Sequence, residues 1–193
     1  MATRTLVLLL ALMAGQSAVA LEEPEYEVIA ETAAYEVRRY QPYVVAEVDV
    51  RGKSADSQGF RALAGYIFGD NEASEKMQMT APVESRETDD GNDITYAFVM
   101  ESKYTLDTLP NPDNERIRLR NKPSRVVAAL RFSGRWTEAN VAKHERQLLS
   151  ALQADGITRL GKLELARYNS PFTPWFLRRN ELMVAIDWPV DTP

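Results

Sequence analysis

The chain of 193 residues is acidic, with 28 Asp+Glu against 23 Lys+Arg and a net charge of −5 at pH 7, and it contains no cysteine and one histidine. Disulfides, Cys/His nucleophilic pairs and zinc clusters are thereby excluded, and without a basic run interleaved with aromatics no nucleic-acid partner is expected. A composition of 45% hydrophobic and 26% charged residues is that of an ordinary globular protein, which here must be stabilised by its core alone.

Residues 1–20 place Arg4 ahead of an apolar core from Leu6 to Ala14, with small residues at Ala18 and Ala20. That order predicts a secretory signal cleaved after Ala20. The apolar core is shorter than the roughly 20 residues of a bilayer span, so no stable membrane insertion is expected. A lipoprotein is excluded because there is no acceptor cysteine. Residues 21–193 are expected to form a single exported domain, periplasmic or secreted, and monomeric.

Tyr43 to Gly52 alternate Val44, Ala46, Val48 and Val50 with Tyr43, Val45, Glu47, Asp49 and Arg51, which predicts a strand with one face buried. Phe60, Leu63, Ala64 and Ile67 then fall at helical spacing, with Ser54, Asp56 or Ser57 as caps and Gly69 as the stop. Strands follow at Lys76 to Val83 and Ile94 to Met100, joined through the turn-forming Asp89-Asp90-Gly91-Asn92. The polar, proline-containing stretch from Lys103 to Asn114 connects to a second half of the same order. There Val126 to Gly134 matches Val44 to Gly52 position for position, Thr137 caps a helix from Glu138 to Ala154 stopped by Gly156, and strands follow at Leu163 to Asn169 and Leu182 to Trp188. Pro82 aligns with Pro171 once a longer second helix is allowed for. The fold class expected is α+β: duplicated β-α-β-β halves forming a distorted antiparallel β-barrel with two flanking helices.

Little in the sequence nominates catalysis. There is no G-x-S-x-G elbow, phosphate-binding loop or G-x-G-x-x-G pattern. His144 sits at the margin of the second helix's apolar stripe and reads as a half-buried or surface imidazole, not a metal or haem ligand. Asp89, Asp90 and Asp93 lack the order of a calcium loop and read as a solvated hairpin turn.

Two segments are richer than structure alone requires. Residues 65–83 lead from a helix-stopping glycine to Met77 and Met79 and close on Thr80-Ala81-Pro82. Residues 167–186 hold Phe172, Trp175 and Phe176 between prolines, ahead of Arg178 and Arg179. A stiff loop with three large aromatics and two cations suits the lip of a pocket for a flat, apolar, anionic molecule. The alternative is that the aromatics cap the end of the barrel while the arginines pair with acidic residues such as Glu181.

The combination of YEVRRYQPYVVAEV (35–48), a helix with YIFGDN and KMQMTAPV (66–83), and YNSPFTPWFLRRNE (168–181) resembles the SOUL haem-binding protein family over nearly the whole chain after residue 20. The resemblance implies a non-enzymatic protein that binds haem or a related tetrapyrrole in a shallow apolar site, without a fixed axial histidine. Carried over by position, the first helix contributes Phe60, Leu63, Ala64, Tyr66 and Ile67, with Arg61 beside them, and the loop contributes Phe172, Trp175, Phe176, Arg178 and Arg179. Arg61, Arg178 or Arg179 then meets the propionates. The same architecture resembles the effector-binding domains of drug-responsive regulators and the gyrase-inhibitor-like proteins. That leaves a second reading: a binder or hydrolase of small apolar ligands, with Tyr66 or a buried glutamate as its polar group.

Overall fold

A computed structural model describes residues 21–52 and 55–189. The predicted signal segment and Ser54 lie outside the described residues. In chain order the elements are β1 (Tyr26–Glu31), β2 (Glu36–Tyr40), β3 (Tyr43–Val50), α1 (Ala55–Ile67), β4 (Val83–Glu87), β5 (Ile94–Val99), β6 (Arg118–Lys122), β7 (Arg125–Phe132), α2 (Glu138–Ala154), β8 (Thr158–Arg159), β9 (Glu164–Arg167), a 3-10 turn (Trp175–Leu177) and β10 (Asn180–Asp187). The strands form one antiparallel sheet in the order β1-β2-β7-β10-β9-β4-β5-β3-β6, with β8 beside β10. The central six strands are arranged two-fold about the β4–β9 seam. On one side β5 lies between β4 and β3, and on the other β10 lies between β9 and β7. Each side carries one helix between its first and second strands, as the sequence pattern predicts.

Local chemistry explains both helices. α2 begins where the Thr137 side chain accepts from the Asn140 amide, and it ends before Gly156, whose φ of +68° suits a residue without Cβ. α1 lays Leu63, Tyr66 and Ile67 on β3 and β5. Its approach is close at Gly59, where an added Cβ would stand 2.7 Å from the Tyr96 ring.

Three expectations are corrected. The strand placed at Lys76–Val83 starts only at Val83. The residues before it follow an irregular path in which Met77 N–H bonds Ile67 O, Thr80 Oγ1 donates to Val99 O and Ala81 N–H bonds Glu22 O. Pro82, which follows a cis peptide bond and has no N–H for a ladder, marks the boundary. Pro82 thus precedes β4 whereas Pro171 follows β9, so the two are not equivalent positions. Finally, β3 is buried on both faces: Val48 faces α1, while Val45 and Glu47 face the opposite side and are equally inaccessible.

That opposite side is the concave face of a curled sheet. The turn between β6 and β7 brings strands distant in sheet order together, so Arg125 of β7 donates to the Tyr43 hydroxyl of β3 at 3.0 Å. Buried charges fill this face in pairs. Lys122 contacts Glu84 at 2.6 Å and Glu164 at 3.1 Å, and Arg125 contacts Glu164 at 2.7 Å. Arg38 meets Glu181 at 2.6 Å, and Glu181 also accepts from Tyr168 and Arg179, both at 2.9 Å. Burial alone would raise the Glu164 carboxyl, but Lys122 and Arg125 outweigh it and hold the group down at about 2.

Two outcomes follow for stability. Glu164→Gln leaves Arg125 without its buried counter-charge, and Lys122 with Glu84 alone, and is expected to cost about 3–5 kcal/mol at neutral pH, read by denaturant unfolding. Because the folded carboxyl titrates below its unfolded value of 4.5, its contribution is complete above that pH and is lost as pH falls toward about 2. Wild type should therefore lose more stability across that window than Glu164→Gln. Gly59→Ala, which forces the new methyl into the Tyr96 ring, is expected to lower stability by about 1–3 kcal/mol in the same assay.

Candidate functional site

The convex face carries both helices, and the surface left between them is a groove of about 850 Å³ along the β4–β9 seam. Strand register sets out the sheet residues beneath and beside it. Phe98 lies opposite Val83, Val83 opposite Arg167, Arg167 opposite Asn180, and Asn180 opposite Phe132, giving one row across five strands. The Phe60 ring of α1 packs edge-on against Phe98 at 5.3 Å, and at the other end His144 of α2 stacks on Phe132 at 4.2 Å. Of this row Arg167 lines the groove, whereas Phe98, Asn180 and Phe132 are buried. The next row brings Tyr96, Ser85 and Leu165 together, and Ile94, Val141 and Leu163 extend the apolar wall.

Arg167 is the central cation of this floor. Its side chain is 9% exposed, and its guanidinium lies 5.3 Å from the Tyr96 ring and 5.4 Å from the Trp136 ring. Its ion-pair partner, Asp56 in the first turn of α1, stands 3.5 Å away, and the buried Nε has no hydrogen-bond partner. Burial pulls the guanidinium below its ordinary pKa, and Asp56 offsets this only in part. Along the α2 wall, burial and then Glu87 push the Glu145 carboxyl up, against the opposing charge of Arg146.

Trp136 joins the groove to the proline-rich loop. Its Nε1 donates to Asn180 Oδ1 at 2.6 Å, and the Arg178 guanidinium lies 4.4 Å from its ring. Arg178 is itself the staple of that loop, donating from Nε to Thr173 O at 2.9 Å and from Nη2 to Pro171 O at 2.6 Å. Gly134 N–H to Trp175 O and Leu177 N–H to Pro174 O fix the remainder. The result is a rigid loop with Phe172 93%, Phe176 59%, Leu177 65% and Trp175 49% exposed.

The structure divides the residues singled out from the sequence. On α1, Phe60 and Arg61 are exposed and Ala64 half-buried, so these three present a surface to the outside. Leu63, Tyr66 and Ile67 are shut into the core beneath the helix, and the Tyr66 hydroxyl is spent on Pro110 O at 2.9 Å. They support the helix and offer no ligand surface, and Tyr66 is no reactive group for a hydrolase. Phe172, Trp175 and Phe176 are exposed on the loop. Arg178 serves the loop backbone. Arg179 pairs with Glu23 and Glu181 at 2.9 Å and lies 3.6 Å over Tyr168, on the concave side. His144 Nδ1 bonds Asn140 O at 2.7 Å and its ring lies on Phe132, whereas Glu138, Val141 and Glu145 of the same helix line the groove. Asp90 accepts from Thr88 and Asn92 within the β4–β5 hairpin, and Asp93 pairs with Arg51, just after β3. Among the described residues no cluster of His, Asp or Glu is placed to hold a metal ion.

Sequence reasoning missed Phe68, exposed one turn beyond Ala64, together with Tyr96, Arg135, Trp136 and Arg167. The i, i+4 step Phe60–Ala64–Phe68 was a readable signal. The others depend on strand register and on a cation in an apolar strand.

The family model described as SOUL heme-binding protein matches residues 21–185. Among curated relatives, heme-binding protein 1 of Xenopus laevis is 29% identical over 157 residues, covering 77% of this chain and 82% of the relative. Heme-binding protein 2 of Homo sapiens is 30% identical over 167 residues, covering 77% and 80%. Solved structures share the fold at much lower identity. The C-terminal domain of EcmrR aligns with a TM-score of 0.63 at 9% identity, covering 84% of this chain and 98% of that one, and a hydrolase from Listeria innocua aligns with 0.60 at 13%, covering 82% and 94%. With a family match across nearly all the described residues, the chain belongs to the SOUL heme-binding protein family.

Proposed function

We propose that the protein binds haem or a related tetrapyrrole in the groove between α1 and α2, at the end bordered by Phe60 and the Trp175 loop, and that it does so outside the cytoplasm after removal of residues 1–20. One observation carries the reading. The groove has a floor about three strands wide, made by Tyr96, Ser85 and Leu165, with Trp136 at its side and a buried arginine whose charge is incompletely answered. A flat apolar anion suits such a floor in width, in ring contacts and in charge. The names of the relatives point to the same ligand, and the sequence of the first 20 residues supports export.

Arg178 and Arg179 are engaged elsewhere, which leaves Arg61 on α1, Arg135 beside Trp175, and Arg167 on the floor to meet carboxylates. Among the described residues Arg61 and Arg135 make no ion pair. Covering roughly 300 Å² of apolar macrocycle is worth about 7 kcal/mol before the costs of association. Binding without an iron–protein bond is therefore physically sufficient. His144, which stacks on Phe132 and does not line the groove, takes no part, and the site discriminates weakly between haem and metal-free porphyrin.

Titration of the purified protein with haemin and with protoporphyrin IX should give saturable spectral changes with both, at affinities within about tenfold of each other. The absence of a saturable change with either would overturn the reading. Arg61→Ala and Arg135→Ala should each weaken haemin binding about two- to fivefold, as expected of exposed charge pairs, and His144→Ala should leave it unchanged. Loss of haemin binding in His144→Ala, with porphyrin binding retained, would show that iron ligation carries the affinity after all.

A further inference from the structure

The loop from Ser170 to Arg178 is shaped for something other than a flat ligand. Phe172, at 93% exposed, stands clear of the surface, and Phe176 and Leu177 follow it. The Trp175 and Phe176 rings meet edge-on at 88°, so together they offer no common plane for a macrocycle to lie on. The backbone beneath them is fixed by the two hydrogen bonds from Arg178 and by Gly134 N–H to Trp175 O. Four large apolar side chains are thus held out in water on a convex, pre-ordered tip, a costly arrangement for a surface with no apolar partner.

Charge narrows the partner. The chain as a whole is acidic, yet no Asp or Glu occurs between Ser170 and Asn180. Arg131 and Arg135, near the base of the loop, are exposed and make no ion pair among the described residues, and Arg135 lies 5.9 Å from the Trp175 ring. Glu181, the carboxylate that follows, is buried and neutralised by Arg38 and Arg179. An apolar convex tip containing a tryptophan, with two arginines that make no ion pair near its base, is complementary to a medium that deforms around a protrusion and presents anions at its surface. A lipid bilayer with anionic headgroups has both properties.

We propose that the Ser170–Arg178 loop is a reversible membrane-interface anchor, with Phe172, Trp175, Phe176 and Leu177 entering the headgroup region and Arg131 and Arg135 meeting lipid phosphates. This is docking, not spanning: among the described residues no helix is long and apolar enough to cross a membrane. The anchor does not depend on what the groove binds.

Co-sedimentation of ligand-free protein with vesicles tests it, comparing phosphatidylcholine alone with phosphatidylcholine mixed with phosphatidylglycerol. The protein should pellet with the anionic vesicles and at least about tenfold less with the neutral ones. Phe172→Ser/Phe176→Ser should abolish sedimentation without altering the far-ultraviolet dichroism or the thermal midpoint, whereas Leu160→Ser, exposed at a distant turn, should sediment as wild type. Tryptophan emission should shift to the blue on vesicle binding, and that shift should vanish in Trp175→Phe although the variant still pellets. Failure to pellet with anionic vesicles, or unchanged pelleting of the double serine variant, would overturn the proposal. So would a ligand-free dimer that the double variant converts to monomer, since the tip would then be a contact between copies. Equal pelleting with neutral vesicles would remove the role given to the arginines. Because no haem is present, none of these outcomes depends on tetrapyrrole binding.

Discussion

Carboxylates enclosed by a curled sheet cannot be left without counter-charges, and much of this molecule follows from how that requirement is met. Glu47, Glu84, Glu164 and Glu181 all point into the concave side and are almost wholly removed from water. Each unpaired would cost several kcal/mol, so Arg38, Lys122 and Arg125 are drawn inward from β2, β6 and β7 and Arg179 from the residue just before β10, while Arg86, Arg118 and Arg120 answer Glu47. Tyr43 and Tyr168 complete the packing by donating to Glu84 and Glu181. A concave face filled in this way has little apolar surface to give a ligand. The convex seam between the helices is therefore the better surface for recognition, although the inside of a curled sheet is the more obvious place to look.

The same logic separates Arg167 from the inward-facing cations. It stands in the same sheet as Arg125 but on the opposite face, where its carboxylate partner is an exposed residue of a helical first turn, not a buried strand glutamate. Two aromatic faces supply much of what the missing counter-charge would have done. A guanidinium held this way is fixed in position yet incompletely neutralised, which is a useful state for binding an anion and a poor one for stability alone. Gly59 contributes indirectly: by allowing α1 to close on Tyr96 it sets the wall against which Arg167 lies.

How legible these features were depended on the range of the interaction. α2 could be read from Glu138 to Ala154 because its limits are local, a threonine cap at one end and a glycine at the other. β1, β2 and β6 could not, since YEVIAE, EVRRY and RLRNK carry charges where a strand pattern calls for apolar residues. Those charges are satisfied only by strands distant in sequence, as Arg38 is by Glu181. At the candidate site, apolar periodicity identified α1 but favoured its buried stripe. Leu63, Tyr66 and Ile67 mark where the helix touches the sheet, and the outward surface is the adjoining stripe of Phe60, Ala64 and Phe68. Trp136 and Arg167 are neighbours only through the pairing of β9 with β10, which no local pattern announces.

The two arginines of the loop show how one short sequence can serve two faces. Arg178 turns toward Trp136 and the backbone of its own loop, while Arg179, the next residue, points to the concave side and joins Glu23 and Glu181. Alternation along an extended segment makes this split unavoidable. It frees neither residue for a ligand, yet it produces two features together: a loop stiff enough to hold its aromatics outward, and a closed charge network behind it. Trp136 contacts Arg178 on the loop side and Arg167 on the groove side, so the outward tip and the mouth of the groove are parts of one continuous surface. With the tip at a bilayer, an apolar ligand moving between lipid and groove would cross little open water, and the hydration cost of exposing a flat macrocycle would be avoided along the way.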